Sequence, residues 1–441
     1  MKRLAHRLDD CSRRSFISGA ARAMLGVTLL PMLVPLAKAA EAKAAEAGSE
    51  RAAEVGLRRR PTARNCIYLN MVGGMSHLDT WDPKPGTETG GPTKALSTKA
   101  DGVQISQYLP RMAEQMNKVA LLRGMSSTQG AHEPAQYLMH TSFAQRGTIR
   151  HPSLGSWTSY FNGRGNPTLP SNVVVGGGGR HPGAGFLEAK FAPLPLGNSK
   201  AGLQNSTRAR GISEESFDRR MGLLGQLNEQ FEKEFPHKAV RGYQDLYQEA
   251  VHLMGSKDLA AFDLTRESAE MQDRYGDHEF GHGCLLARRL IEHDVRFVEV
   301  NLGGWDTHDE NFERVEANAN ILDQALAALL PDLESRGLLD ETLVVVASEF
   351  GRSPKINQNN GRDHYPKAFT TLLAGGGVKG GQVYGATDPS GSEPIAGKTL
   401  ITDFNATIGY ALSLPLEQVV MSPSGRPFTF ADKGRPITAL F

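Results

Sequence analysis

The sequence predicts an α/β fold, a mostly parallel sheet covered by helices on both faces. Three observations predict it. Short, near-continuous apolar runs recur along the chain, as strands buried on both faces require. Stretches with helical periodicity separate them, which is the alternation of a layered α/β domain. Polar residues able to do chemistry gather just after the runs, where open α/β sheets place their sites.

The elements follow in order. In residues 1–39, Ser12-Arg13-Arg14-Ser15-Phe16-Ile17 places paired arginines shortly before an aromatic and an aliphatic residue, behind the basic Lys2, Arg3 and Arg7. A mild apolar stretch from Ala20 to Leu36 follows, interrupted by Gly26, Pro31 and Pro35, and Ala37-Lys38-Ala39 offers the small residues a signal peptidase needs. These features read as a twin-arginine signal peptide. The stretch is short, carries Arg22 and two prolines, and ends in a cleavage site, so no permanent membrane anchor is expected. The expected destination is the periplasm or the medium, reached in the folded state through the twin-arginine export machinery.

Cleavage after residue 39 removes seven basic and two acidic residues from totals of 49 and 48, leaving a net charge of −4. That balance argues against a nucleic-acid or anionic-membrane partner. Of three cysteines, Cys11 leaves with the signal, while Cys66 and Cys284 lie in an apolar strand and a helix; no disulfide framework is implied. Residues 40–64 read as a linker, rich in Ala, Glu and Arg without an apolar face. Residues 65–441 then form one α/β domain.

It opens on Cys66-Ile67-Tyr68-Leu69-Asn70-Met71-Val72, stopped by Gly73-Gly74. Val119-Ala120-Leu121-Leu122 is a second strand, ended by Arg123-Gly124, and Asn172-Val173-Val174-Val175 a third. Residues 214–294 change character and read as an insertion of charged amphipathic helices, with Leu223, Leu224, Leu227 and Phe231 on one face. The α/β rhythm resumes with a strand at 296–301, a helix over roughly 309–336, the strand Thr342 to Ala347, and a last strand from Ala368 to Ala374.

After the first strand come His77, Asp79 and Asp82; after the second, Ser126, Ser127, Thr128 and His132. Asp306 and His308 follow the strand ending near Asn301, Glu349 and Arg352 follow the strand ending at Ala347, and Arg362, Asp363 and His364 precede the last one. Imidazoles and carboxylates without cysteine suit Zn, Mn or Fe, or Ca and Mg where oxygen dominates. A lone Asp or His after a strand is more often a turn former or a cap. Here several strand ends each deliver such groups, so a purely structural account needs a separate reason at each. Arg352 and Arg362 could hold an oxyanion or serve as ion pairs.

The run Thr342 to Gly351 resembles the strand of the alkaline phosphatase and sulfatase superfamily that ends in a metal-binding Asp-His. His364 and Pro366, before a strand ending in Gly375-Gly376-Gly377, resemble that superfamily's last His ligand and its surroundings. Asp306 and His308 match its first Asp and His ligands. More specifically, residues 65 to about 430 resemble the exported bacterial family labelled domain of unknown function 1501. The matching motifs are Gly73-Gly74, Ser76 to Thr80, Asp82 to Pro85, Gly304 to His308, Glu349 to Arg352 and Gly361 to His364. The chain departs from phosphatases in having Glu349-Phe350 where they have Asp-His, so one nitrogen ligand is missing, and one metal, or a rearranged site recruiting His77 or Asp363, is expected rather than two metals held as in the phosphatases. Where sulfatases place a nucleophile, nine residues before a Thr-Gly, counting back from Thr141-Ser142 reaches His132.

The resemblance implies a metal-dependent hydrolase of phosphate or sulfate esters, or of a related small anionic substrate. Its divalent ion (Zn, Mn, Ca or Mg) would be held by Asp306, His308, Asp363 and His364, with Glu349 as ligand or general base and His77 and Asp79 as further ligands. Arg352 would stabilise developing charge. His132, Ser127 or a neighbouring hydroxyl would attack or position water. The competing expectation is a binding or assembly protein of the same fold whose catalytic residues have decayed.

Overall fold

A computed structural model describes residues 62–441, apart from 178–180, 205 and 236–237. The signal peptide read at 1–39 and most of the linker at 40–64 lie outside the described residues. Among those described, no helix is long and apolar enough to cross a membrane.

The predicted strands form one sheet. In chain order its members are β1 (Asn65–Met71), β2 (Val119–Ser126), β3 (Asn172–Val175), β4 (Leu194–Leu196), β5 (Phe297–Leu302) and β6 (Thr342–Ala347). A hairpin outside the sheet follows, β7 (Gly351–Ile356) with β8 (Arg362–Tyr365), and then β9 (Phe369–Ala374), β10 (Gln382–Tyr384) and β11 (Thr399–Leu400) return to the sheet. The spatial order is β10-β2-β9-β6-β1-β5-β3-β4, with β11 also paired to β2. All pairings are parallel except those of β9, which runs against β2 and β6. Its reversal matters: the start of β9 lies at the sheet edge where β1, β2, β5 and β6 end, so the hairpin leading into it joins their loops.

The apolar runs are buried throughout because both sheet faces are covered. Alternate residues of β1 divide between two cores, Ile67, Leu69 and Met71 on one side and Cys66 and Tyr68 on the other. On the first side pack helices over Glu279–Glu292 and Asn311–Ser335, the latter within the span expected; on the second, α1 (His132–Thr141) and the helices over Leu154–Asn162 and Ile401–Ala411. Cys66 and Cys284 are free and fully buried.

Two expectations need correction. The second strand does not stop at Arg123-Gly124 but runs to Ser126. Arg123 reaches out to the carbonyls of Trp81 and Gln104, and Gly124 admits a crossing backbone, since a Cβ there would lie 2.3 Å from the Gly397 carbonyl oxygen. Nor do the leucines of the 214–234 helix share one packed face: Leu224 is half-buried, whereas Leu223, Leu227 and Phe231 are exposed.

Candidate metal centre

The loops at the parallel strands' C-terminal ends bring seven of the expected residues together. Asp306 and His308 lie between β5 and its following helix, His132 opens α1, Glu349 follows β6, and the β7–β8 hairpin carries Arg352, Asp363 and His364, with His364 paired to Arg352. Glycine makes the convergence sterically feasible at two points. Gly73, at φ +122°, ends β1 so close to the Asp306 loop that a Cβ would lie 2.5 Å from the Asp306 nitrogen. A Cβ on Gly361 would lie 1.9 Å from the His308 carbonyl oxygen.

Asp306 is the centre of the group. Its Oδ1 lies 3.2 Å from His308 Nε2 and 3.3 Å from His364 Nε2, and its Oδ2 lies 3.4 Å from His132 Nε2. Each imidazole is held from behind through its other nitrogen. His132 Nδ1 meets Glu349 Oε1 at 2.8 Å, His308 Nδ1 meets Asp363 Oδ1 at 3.1 Å, and His364 Nδ1 meets the Gly130 carbonyl at 2.9 Å. All three partners accept, so each Nδ1 donates and each Nε2 turns a lone pair toward the Asp306 carboxylate, the tautomer being assigned from these contacts. Three lone pairs and a carboxylate facing one another are an arrangement that a cation between them would match. The buried Nε2 of His132 has no hydrogen-bond partner, and carboxylate or carbonyl groups behind the imidazoles are the usual support of metal-ligating histidines. One ligand atom each from His132, Asp306 and His364 lies within 4.8 Å of the others, close enough for one ion. The donor set fits a divalent metal.

The remaining residues divide between support and architecture. Glu349 is buried, and its Oε1 also accepts from Gly73 N at 3.0 Å and Gln136 Nε2 at 3.3 Å, so it orients His132 rather than facing the cluster. Asp363 likewise backs His308 and is steadied by Asn357. Arg352, expected at an oxyanion, is fully buried and donates to Asp306 and to the carbonyls of Gly73, Gly74 and Arg362. It positions Asp306. Burial opposes ionisation of that carboxyl, but Arg352, then His132 and His308, bring its pKa down to about 2. The hydrogen bond to Glu349 raises His132 above its ordinary value, while burial pushes His364 below its own.

His77, Asp79, Arg362 and Ser127 do not join the cluster. His77 is buried with Nε2 on the Gly391 carbonyl at 2.8 Å. Asp79 and Arg362 form a fully buried ion pair at 2.7 Å, completed by Ser76, Thr93 and Asn311. The Ser127 hydroxyl is engaged with the Gln129 backbone. Sequence reasoning missed Gln136, Gly130 and Asn357. Gln136 alone carried a signal, four residues after His132 and therefore on the same helix face. Phe350, where a second nitrogen ligand was missed, is a buried ring whose centroid lies 5.1 Å from that of His132 and 4.6 Å from that of His364.

A second group, His140, His181 and Glu299, also has metal-like spacing. The same proton accounting excludes it. His140 Nδ1 donates to the Gln136 carbonyl, but His181 Nδ1 accepts from Gly183 N at 3.1 Å, which leaves the His181 proton on Nε2, facing Glu299. This cluster is a buried ion pair between imidazole and carboxylate. Its electrostatics agree: against the opposing effect of burial, His140 and His181 push the Glu299 pKa far down, and Glu299 raises that of His140.

The chain belongs to the family described as Protein of unknown function (DUF1501), which it matches over residues 63–441. No curated protein is similar to it in sequence. Among solved structures it is similar to the PsFucS1 sulfatase from Pseudoalteromonas sp., at 14% identity and a TM-score of 0.41 over 87% of this chain and 72% of that one. It is similar also to a protein in the alkaline phosphatase superfamily from Vibrio parahaemolyticus, at 11% identity and a TM-score of 0.40 over 86% and 70%. Alkaline phosphatase from the Antarctic bacterium TAB5 matches at 15% identity and a TM-score of 0.34 over 75% and 96%.

Proposed function

We propose that this member of the family is a metal-dependent hydrolase of phosphate or sulfate esters, or of a related small anionic substrate. It would be exported folded by the twin-arginine machinery after residues 1–39 direct it there. One divalent ion would be held by Asp306, His132, His308 and His364. The observation that carries the metal is the convergence of three Nε2 lone pairs on one carboxylate. The ester class rests on the resemblance of the strand run 342–351, of Asp306 and His308, and of His364 with Pro366 to phosphatases and sulfatases.

A divalent ion in that position supplies Lewis-acid activation, lowering the pKa of water toward neutrality. The chain's own residues do the rest. Glu349 and Asp363 keep the Nδ1 protons of His132 and His308 in place, and Arg352 keeps Asp306 ionised. With the Ser127 hydroxyl engaged by the Gln129 backbone and His132 held by Glu349, water would supply the attacking oxygen. The bond from phosphorus or sulfur to the ester oxygen breaks, and the leaving group takes up a proton.

The test is to purify the exported protein, measure its metal content, and assay aryl phosphate and aryl sulfate esters with and without chelator. About one equivalent of metal and chelator-sensitive turnover are expected; a metal-free, inactive protein refutes the proposal. A second reading is a binding protein in which a proton replaces the metal. It is favoured by the raised pKa of His132, lying between Glu349 and Asp306. That reading expects no metal, and loss of stability alone in His132→Ala.

A further inference from the structure

The helix over Glu214–Glu234, α2, is 21 residues long and buries none of them. One edge, including Met221 and Leu224, lines a cavity shared with Val251 of the next helix, α3 (Lys238–Met254). Another edge is uncovered: Leu223, Leu227 and Phe231 are 59%, 56% and 51% exposed. At 3.6 residues per turn they lie within about 40° of one line along the helix, as do Arg220 and Glu234. This apolar strip is therefore closed by a cation at one end and an anion at the other, and both are exposed.

The order along the strip is symmetric about Leu227. Leu223 and Phe231 stand four residues to either side of it, and Arg220 and Glu234 seven. A two-fold axis through Leu227 would lay the strip antiparallel on itself. Leu227 would meet its own copy, Leu223 would meet Phe231, and Arg220 would meet Glu234 at both ends. Such a patch is self-complementary, as an isologous interface must be. A parallel arrangement would oppose arginine to arginine and glutamate to glutamate, so charge selects the antiparallel one. Twenty-one residues span about 32 Å, enough for three heptads of helix-on-helix contact.

We infer that this face docks a second copy of the chain, α2 against α2, antiparallel about Leu227. The inference is independent of the metal centre. Sedimentation equilibrium of the purified full chain should give a mass that doubles with rising concentration. Leu227→Arg and Leu227→Glu each place like charges at the axis, and each should weaken self-association by on the order of tenfold or more. Mixing the two variants should restore a dimer. Arg220→Glu should weaken association and Arg220→Glu/Glu234→Arg should recover it, outcomes that a folding defect cannot mimic. A wild-type chain that is monomeric at every concentration overturns the inference, as does a dimer indifferent to Leu227→Arg. A monomer that instead floats with phosphatidylethanolamine and phosphatidylglycerol vesicles would give the strip to a membrane surface and overturn it too.

Discussion

Replacing Glu349 with glutamine tests whether the carboxylate behind His132 belongs to a metal centre. Its Oε1 receives three donors, His132 Nδ1 at 2.8 Å, Gly73 N at 3.0 Å and Gln136 Nε2 at 3.3 Å. A glutamine carbonyl can accept all three, and its amide can donate to the Ser348 hydroxyl, now 3.2 Å from Oε2. The hydrogen bonds survive and the charge does not. Changing such an outer partner typically costs 10–100-fold in metal affinity, about 1.4–2.7 kcal/mol. The side chain is 1% exposed, so solvent screens little and the upper half of that range is expected. Asp363→Asn, at a carboxylate 62% exposed, should fall at the lower end. The assay is competition between the metal-free protein and a chromophoric chelator for Zn2+ or Mn2+, alongside the melting temperature of the metal-free form. Below pH about 6.5 the loss should shrink, because the same substitution removes the negative charge that makes the His132 hydrogen bond strong and helps raise that imidazole, and with it part of the protons' advantage. An affinity within twofold of the wild type would refute the reasoning, as would a metal-free form whose lost stability accounts for the whole effect.

Asp79→Asn should cost on the order of 3–5 kcal/mol in urea unfolding by leaving Arg362 buried without its partner, while metal affinity stays unchanged; a lost metal would return Asp79 to the ligands. Glu299→Gln should cost a similar amount and alter the pH dependence of stability. The depressed Glu299 contributes above the ordinary Glu pKa of about 4.3 and loses that contribution as pH falls through its folded value, whereas the raised His140 contributes below about 6.5 and loses it as pH rises through its own. The variant's loss should therefore be largest between those values, and a variant profile parallel to the wild type counts against the pair. Gly73→Ala should disrupt the metal centre, since φ +122° and a Cβ 2.5 Å from the Asp306 nitrogen leave the loop no room; metal titration of the folded variant reads this directly.

Much of the sheet was legible because strands buried on both faces must be largely apolar, and β1, β5 and β6 are, with Asn70 and Glu299 among the buried exceptions. The mostly parallel character was legible as well, but not the strand that breaks it, since an antiparallel β9 has the same composition as a parallel one. The gathering of Asp306, His308, Glu349, Asp363 and His364 could be anticipated from their places at strand ends. Their division into an inner and an outer layer could not, because ligand and support are the same residue types a few ångströms apart. Arg352 and Arg362 illustrate the same limit. Arginine near a site suggests an oxyanion, yet both guanidinium groups are consumed by backbone carbonyls and by Asp306 and the buried Asp79, partners that only the folded chain assembles. The strip on α2 shows the reverse: its periodicity was plain, but exposure depends on what packs against it.

The two histidine clusters finally separate on the placement of a single proton. Both place imidazoles around a carboxylate at similar distances, and α1 contributes to each, His132 at its start and His140 two turns later. At His140 and His181 the Gly183 N–H fixes one proton on the inward nitrogen, so the Glu299 carboxylate is already satisfied by the protein. Around Asp306 every outer contact draws its proton outward, and among the described residues Arg352 is the one guanidinium or ammonium group bonded to that carboxylate. One guanidinium bonded to Asp306 leaves the three Nε2 lone pairs unmatched. Protonating the imidazoles could match them, but each added proton raises the charge beside Arg352 and beside the others, and burial already disfavours the charged form of His364. A divalent ion would match the His132 and His364 lone pairs and the Asp306 carboxylate together, with His308 beside them, and would leave the outer hydrogen bonds undisturbed, which is why the cluster around Asp306, and not the one around Glu299, is the metal centre we propose.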